Sequence, residues 1–132
     1  MKKGLFYLML LALTFSVLAV NSKAQTITPE QSVNLITGIN SDNNGLIKSS
    51  IYYAGKYKAK AAVESLIKVL EKSGNSEHRI LAAYALHEIG ALSGYAVIAK
   101  IAEEEEDFLV RTESKILYGK FLENEIARFV GL

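Results

Sequence analysis

Apolar residues recur three and four positions apart through most of the chain after residue 28, and no segment alternates with period two long enough to form a strand. The clearest stretch is Ser76–Gly90, where a serine suited to an N-cap and a final glycine bracket apolar and small residues at helical spacing. The same spacing predicts six helices in an all-α domain. Their expected bounds are Pro29–Gly38, Leu46–Lys58, Ala61–Lys72, Ser76–Gly90, Tyr95–Glu105 and a last helix capped by Asp107.

Local signals sharpen some of these helix ends. Thr28 precedes a proline at the first helical position, and Gln31 stands where it completes a capping box. The last helix either continues to Phe129 or breaks near Gly119.

The first residues have the composition of a secretory signal peptide. Lys2 and Lys3 precede the apolar run Leu5–Val20, and Ser22-Lys23-Ala24 places small residues at the −3 and −1 positions of a cleavage site. The alternative is an uncleaved membrane anchor, but the run is shorter than the roughly 20 apolar residues of a spanning helix. We therefore expect a signal peptide over residues 1–24 and a mature domain over 25–132. The mature protein is then periplasmic or secreted, with no stable membrane anchor.

Charge and cysteine content narrow the function classes. The formal net charge is +1, and removal of the three lysines in residues 1–24 leaves about −2. A net charge near −2 argues against a nucleic-acid partner, because proteins that bind nucleic acids carry a basic face. The chain has no cysteine, so helix packing rather than disulfides must hold the domain together.

The helices also show an internal repeat. The pairs Ile47-Lys48, His78-Arg79 and Val110-Arg111 align at spacings of about 31 and 32 residues. In this repeat register Ile51 aligns with Ala82, Tyr53 with Tyr84 and Ile116, and Ala54 with Ala85 and Leu117. A period of this length indicates stacked helix pairs, each covering the apolar face of its neighbour.

The central unit resembles a known family. The segment Ser76–Gly90 resembles the second helix of a short HEAT repeat of the lyase-associated type. The residues that match the family pattern are Arg79, Ala82, Ala83, Ala85, Leu86, Ile89 and Gly90, followed by Ala96-Val97. The resemblance implies a right-handed α-α superhelix, a HEAT-like solenoid of about three helix pairs, with the second helices lining an inner, concave surface. Two positions depart from the family pattern: Gly55 replaces a leucine, and Ala91 replaces an aspartate.

Candidate chemistry is sparse. His78 and His87 lie nine residues apart on nearly opposite sides of one helix, so they cannot act on one site, and both are expected at ordinary polar positions. No catalytic set, metal-ligand spacing or phosphate loop stands out, and no cofactor is expected. The acidic run Glu103–Asp107 is expected to form a solvated turn between two helices. The alternatives are an acidic patch that binds a basic partner and a weak calcium site.

These observations predict a protein–protein interaction module, a scaffold or adaptor, rather than an enzyme. The residues expected to face a protein partner are Lys48, Tyr52, Arg79, His87, Arg111 and Lys115. Lys48, Arg79 and Arg111 align in the repeat, and for them the resemblance implies a second interpretation. In this interpretation an arginine at the aligned position connects the turn of one repeat to the next. Two other functions stay open: an accessory subunit or lyase-like enzyme component, and a self-associating structural repeat.

Overall fold

The computed structural model describes residues 26–132, so the predicted signal peptide and its cleavage site lie outside the described residues. Within that range the chain forms six α-helices and no strand. They are α1 (Pro29–Ile39), α2 (Asn44–Lys56), α3 (Val63–Lys72), α4 (Ser76–Ile89), α5 (Leu92–Glu104) and α6 (Phe108–Val130), with a 3₁₀ turn at Lys60–Ala62 before α3. The all-α prediction is confirmed. Over the same residues, none of the helices has the length and hydropathy to cross a membrane.

Polar side chains begin several of the helices. The capping box at α1 is confirmed, because Thr28 Oγ1 accepts a hydrogen bond from the Gln31 amide and Gln31 Oε1 accepts one from the Thr28 amide. Asn75, rather than the predicted Ser76, caps α4, and its Oδ1 accepts from the His78 amide at 3.2 Å. Gly90 ends α4 in the left-handed conformation, at φ +74°, which glycine adopts without strain.

The helices pack as three consecutive pairs, α1 with α2, α3 with α4 and α5 with α6. The helix α4 also contacts α2 and α6, while α3 contacts α1 and α5. Side chains from five of the helices are fully buried between these contacts, namely Ile51, Leu66, Leu70, Leu86, Ile98, Val110 and Leu117. Leu86 lies on α4, which contacts α2, α3, α5 and α6 and is therefore central to the core.

Burial follows the repeat register in the second helix of each pair. Two sets of aligned positions are buried in all three helices: Ile51, Ala82 and Ser114, and Ala54, Ala85 and Leu117. The helices α2, α4 and α6 therefore present the same side to the core, as the alignment predicts.

Two glycines lie where helices approach closely. A Cβ atom on Gly55 would lie 2.9 Å from Ala85 Cα, so α2 and α4 could not pack this closely with a larger residue at position 55. Gly38 was predicted to end α1, but the helix runs through it to Ile39. Its role is instead to admit Ser50 of α2, since a Cβ atom there would lie 2.0 Å from Ser50 Oγ.

Several helix ends differ from the prediction. The helix α2 spans Asn44–Lys56 rather than Leu46–Lys58, and α3 begins at Val63 rather than Ala61. The helix α5 begins at Leu92, three residues before the expected Tyr95. The helix α6 is continuous through Gly119, so the alternative of one long helix holds.

Candidate interaction surface

Three adjacent helices expose an apolar or aromatic side chain at the same position of the repeat register. These are Tyr53 of α2, Tyr84 of α4 and Ile116 of α6, which are 41%, 38% and 46% exposed. The next residue in each helix is buried. Because α4 contacts both α2 and α6, the three side chains form a row across the second helices, which we call the exposed row. Tyr52, which lies beside Tyr53, is also exposed.

Polar contacts join neighbouring helices beside the exposed row. Lys48 Nζ of α2 lies 2.5 Å from Glu77 Oε2 of α4, and Tyr84 Oη of α4 donates to Glu113 Oε2 of α6 at 2.7 Å. This hydrogen bond holds the proton on the phenol and raises the pKa of Tyr84 above its ordinary value. One ion pair and one hydrogen bond to a carboxylate therefore connect α4 to α2 and to α6 beside the row.

The α2 end of the row is an aromatic cluster. The Tyr52 and Tyr53 rings meet edge to face at 5.2 Å, and the Tyr53 and Tyr57 rings stack at 5.8 Å. The Lys56 ammonium lies 5.8 Å from the centroids of all three rings, within range of a cation–π interaction.

Arg79 lies in a different environment from the other predicted partner-binding residues. Its Nε donates to the Leu70 carbonyl oxygen at the end of α3 at 2.7 Å, and its guanidinium pairs with Glu105 in the turn before α6. Its side chain is only 12% exposed. Arg111 binds the same turn, because its Nη1 donates to the Glu105 carbonyl oxygen at 2.5 Å. The Arg79–Glu105 contact favours the interpretation in which this arginine ties one helix pair to the next, whereas the Arg111 contact stays within the third pair.

The acidic run is only partly a solvated turn. Glu103, Glu104 and Glu106 are exposed, as predicted, whereas the two other carboxylates have specific structural partners. Hydrogen bonds from Arg79 and from the Asp107 amide lower the pKa of Glu105. A hydrogen bond from the Ser76 hydroxyl, together with the amides at the start of α6, lowers the pKa of Asp107. The expectation of a purely solvated turn is therefore corrected for Glu105 and Asp107.

The histidines occupy two different environments. His78 was expected at an ordinary polar position but is buried, and the repeat register aligns it with Ile47 and with Val110, which is also buried. Its Nε2 has no hydrogen-bond partner among residues 26–132. His87 is half-buried, and its Nδ1 is hydrogen-bonded to Tyr95 Oη at 2.9 Å. Burial lowers the pKa of His87.

The six predicted partner-binding residues are thus divided. Tyr52 and Lys115 are exposed, and Lys48 is half-buried in its ion pair with Glu77. His87 and Arg111 are half-buried in contacts within the protein, and Arg79 is largely covered. Sequence reasoning aligned Tyr53, Tyr84 and Ile116 but did not choose them as surface residues. The alignment alone could not have identified them, because a large apolar residue at one register position in all three helices fits the core as well as a surface.

No group of three or more His, Asp or Glu side chains within residues 26–132 is placed to hold a metal ion. The chemistry of the surface is that of aromatic contact, hydrogen bonding and charge pairing. No protein-family model matches the chain, and no curated protein matches it.

Proposed function

We propose that the protein is an exported protein–protein interaction module built as a HEAT-like solenoid of three helix pairs, with the partner bound along the inner surface formed by α2, α4 and α6. The observation that carries the proposal is the exposed row, Tyr53, Tyr84 and Ile116, at one register position on three adjacent helices.

The contacts of the helices support the solenoid. A stacked array of helix pairs requires first helices to contact first helices and second helices to contact second helices. The helices α1, α3 and α5 contact in that order, as do α2, α4 and α6.

The chemistry of the row supports a protein partner. Tyrosine supplies a large contact area with little loss of side-chain entropy, and it is enriched among the residues that dominate binding energy. A half-exposed apolar row bordered by charged groups, here Lys48, Glu77, Glu113 and Lys115, has the apolar centre and polar rim of an interface.

The proposed export means that the partner should be sought among exported proteins, and export itself can be tested. Mass spectrometry of the mature protein should find a chain that begins at Gln25, because Ser22-Lys23-Ala24 satisfies the −3 and −1 requirements of cleavage. A retained Met1 in the membrane fraction would contradict export as a free protein.

The binding experiment compares variants of the row with variants of the acidic turn. The tagged protein is used for affinity capture from the exported fraction, with quantitative mass spectrometry of the captured proteins. Tyr53→Ala with Tyr84→Ala should reduce recovery of a stoichiometric partner at least tenfold, the loss expected from truncating two residues that together dominate binding. Lys115→Glu should also reduce it.

The matched control is charge reversal of Glu103 and Glu104, which are exposed at the end of α5. This variant should retain the partner, and all variants should retain the helical circular dichroism of the wild type. If the glutamate variant loses the partner and the tyrosine variant keeps it, the binding site is the acidic turn. A co-purifying chromophore or substrate in place of a protein would favour the enzyme-accessory alternative.

A further inference from the structure

The start of α2 contains an Asn-Gly pair. Asn44 is the only asparagine of the chain that is followed by glycine, and both Asn44 and Gly45 are exposed. In such a pair the main-chain nitrogen of the second residue can attack the side-chain amide of the first with little hindrance, because glycine has no Cβ atom. The pair therefore has the chemistry for spontaneous loss of ammonia from the Asn44 side chain.

The structure leaves the attacking nitrogen without a helical hydrogen bond. Asn44 and Gly45 are the first two residues of α2, so the Gly45 amide is one of those for which an α-helix supplies no acceptor. The N-cap residue Asn43 is engaged elsewhere, because its Oδ1 accepts from the Leu46 amide at 3.0 Å. A Cβ atom on Gly45 would meet Asn43 Oδ1 at 3.4 Å and no atom of another helix. The peptide group between residues 44 and 45 is therefore uncrowded.

The helical backbone nevertheless opposes the reaction. With the ψ angle of an α-helix, the nitrogen of residue 45 lies on the opposite side of the Asn44 Cα–C bond from Cβ, whereas an extended ψ angle brings the two together. The first turn of α2 must therefore open at Asn44 before this nitrogen can reach Cγ. Helix ends open locally more readily than helix interiors, and the hydrogen bond from the Leu46 amide to Asn43 holds this turn closed.

We propose that Asn44 is a modification site that deamidates to aspartate and isoaspartate when the first turn of α2 opens, at a rate controlled by the Asn43 cap. Hydroxide removes the proton of the Gly45 amide, and the nitrogen bonds to Asn44 Cγ. The Cγ–Nδ2 bond breaks, and Nδ2 leaves as ammonia with a proton from water, which restores the hydroxide. Water then opens either carbonyl–nitrogen bond of the resulting cyclic imide and gives aspartate or isoaspartate. The site lies outside the exposed row, so the proposal is independent of the proposed function.

The two products should affect α2 differently. Aspartate at the first helical position places negative charge where the helix dipole favours it. Isoaspartate routes the main chain through the side-chain carbon, which lengthens the chain between Asn43 and Leu46 and displaces the cap. The separated isoaspartate form should therefore melt below the variant Asn44→Asp. Equal melting temperatures would contradict the displacement of the cap.

The test follows the purified mature protein during incubation at physiological temperature and mildly alkaline pH. Peptide mapping by mass spectrometry reports the conversion of each asparagine, and chromatographic retention separates aspartate from isoaspartate. The internal control is Asn124, an exposed asparagine within α6 that is followed by Glu125. Asn44 should convert about tenfold faster than Asn124 or more, because its successor lacks a Cβ atom and its helix turn is terminal.

Variants at positions 45 and 43 separate the chemistry from its control. Gly45→Ala adds a methyl group that has room in the structure, and it should slow the conversion of Asn44 about tenfold while helical circular dichroism is retained. Asn43→Ala removes the cap and should speed the conversion about fivefold, the factor that corresponds to a cap of about 1 kcal/mol. Asn43→Asp keeps a capping oxygen and should convert near the wild-type rate. In concentrated urea, where no helix remains, Asn43→Ala and the wild type should convert equally fast.

Three results would overturn the proposal. One is conversion of Asn44 no faster than that of Asn124 in the folded wild type. Another is Gly45→Ala that converts as fast as the wild type, which would exclude attack by the main-chain nitrogen. The third is Asn43→Ala that converts at the wild-type rate in the folded protein, which would show that the cap does not control the reaction.

Discussion

At the residue scale, polar atoms stand at two core positions where the repeat register places small or apolar residues. Ser114 aligns with Ile51 and Ala82, and His78 aligns with Ile47 and Val110. Ser114 Oγ and His78 Nε2 are buried and have no hydrogen-bond partner within residues 26–132. A buried polar group without a partner keeps the cost of its lost hydration. Both residues therefore reduce the stability of the core in which they lie.

Ser114→Ala should stabilise the protein. The substitution removes the unpaired hydroxyl and places at this position the residue that α4 has at Ala82. We expect a gain of about 1 kcal/mol in the free energy of unfolding. This corresponds to a rise of about 4–8 °C in the melting temperature of a domain of this size.

The matched control is Ser93→Ala in α5, where the serine is exposed. It reports the gain in helix propensity alone, which is smaller. Thermal unfolding followed by circular dichroism compares the two variants. An equal rise in both would show that the buried hydroxyl of Ser114 carries no penalty.

At the scale of the elements, local sequence signals placed the helices but could not show how closely they approach. The caps at Thr28 and Asp107 were predictable because a capping side chain bonds to backbone amides within three residues of itself. The roles of Gly38 and Gly55 were not predictable in this way. Each depends on a side chain or backbone of another helix, Ser50 for the first and Ala85 for the second.

Gly55→Ala and Gly119→Ala should have opposite effects on stability. In α2 the added methyl group would meet Ala85 Cα at 2.9 Å and force α2 away from α4, at a cost of about 1–3 kcal/mol. In α6 a Cβ atom on Gly119 has no neighbour within 4 Å, so alanine should stabilise the helix by about 0.5–1 kcal/mol. Urea unfolding measures both. A stabilising Gly55→Ala would mean that α2 and α4 are not in close contact.

The turn between α5 and α6 makes the stability of the fold depend on pH. The pKa of Glu105 lies below its ordinary value of 4.5 in the folded protein, chiefly because Arg79 donates a hydrogen bond to the carboxylate. The unfolded chain therefore binds a proton more readily than the folded one as pH falls. The stabilisation is fully present above about pH 4.5 and is lost as pH falls through the lower pKa of the folded state.

Glu105→Gln should remove part of this dependence. At neutral pH the variant should unfold at a lower urea concentration than the wild type, and the two midpoints should converge as pH falls below about 4.5. Glu104→Gln, at the exposed last residue of α5, is the control and should follow the wild type. Parallel curves for wild type and Glu105→Gln over the whole range would contradict the assigned role of the Arg79–Glu105 pair.

At the scale of the whole molecule, the sequence predicted the helical class and the repeat register but not which aligned positions face outward. Tyr53, Tyr84 and Ile116 were aligned from spacing alone, yet apolar residues at helical spacing are as compatible with the core as with a surface. Arg79 is the opposite case, a residue expected at the surface that the structure largely covers. A charged residue was expected to face a partner, but its pairing with Glu105 across two helix pairs becomes visible only when the turn before α6 is placed beside it.

The most direct test of the inner surface is site-specific photo-crosslinking. A photoreactive phenylalanine analogue replaces Tyr84, at the centre of the exposed row, or Leu92, an exposed apolar residue at the start of α5. After irradiation of the exported fraction, mass spectrometry identifies what each position contacts. The proposed function predicts one abundant cross-linked protein, other than a second copy of this chain, at position 84 and not at position 92. The same protein cross-linked at 92 and absent at 84 would contradict binding along α2, α4 and α6.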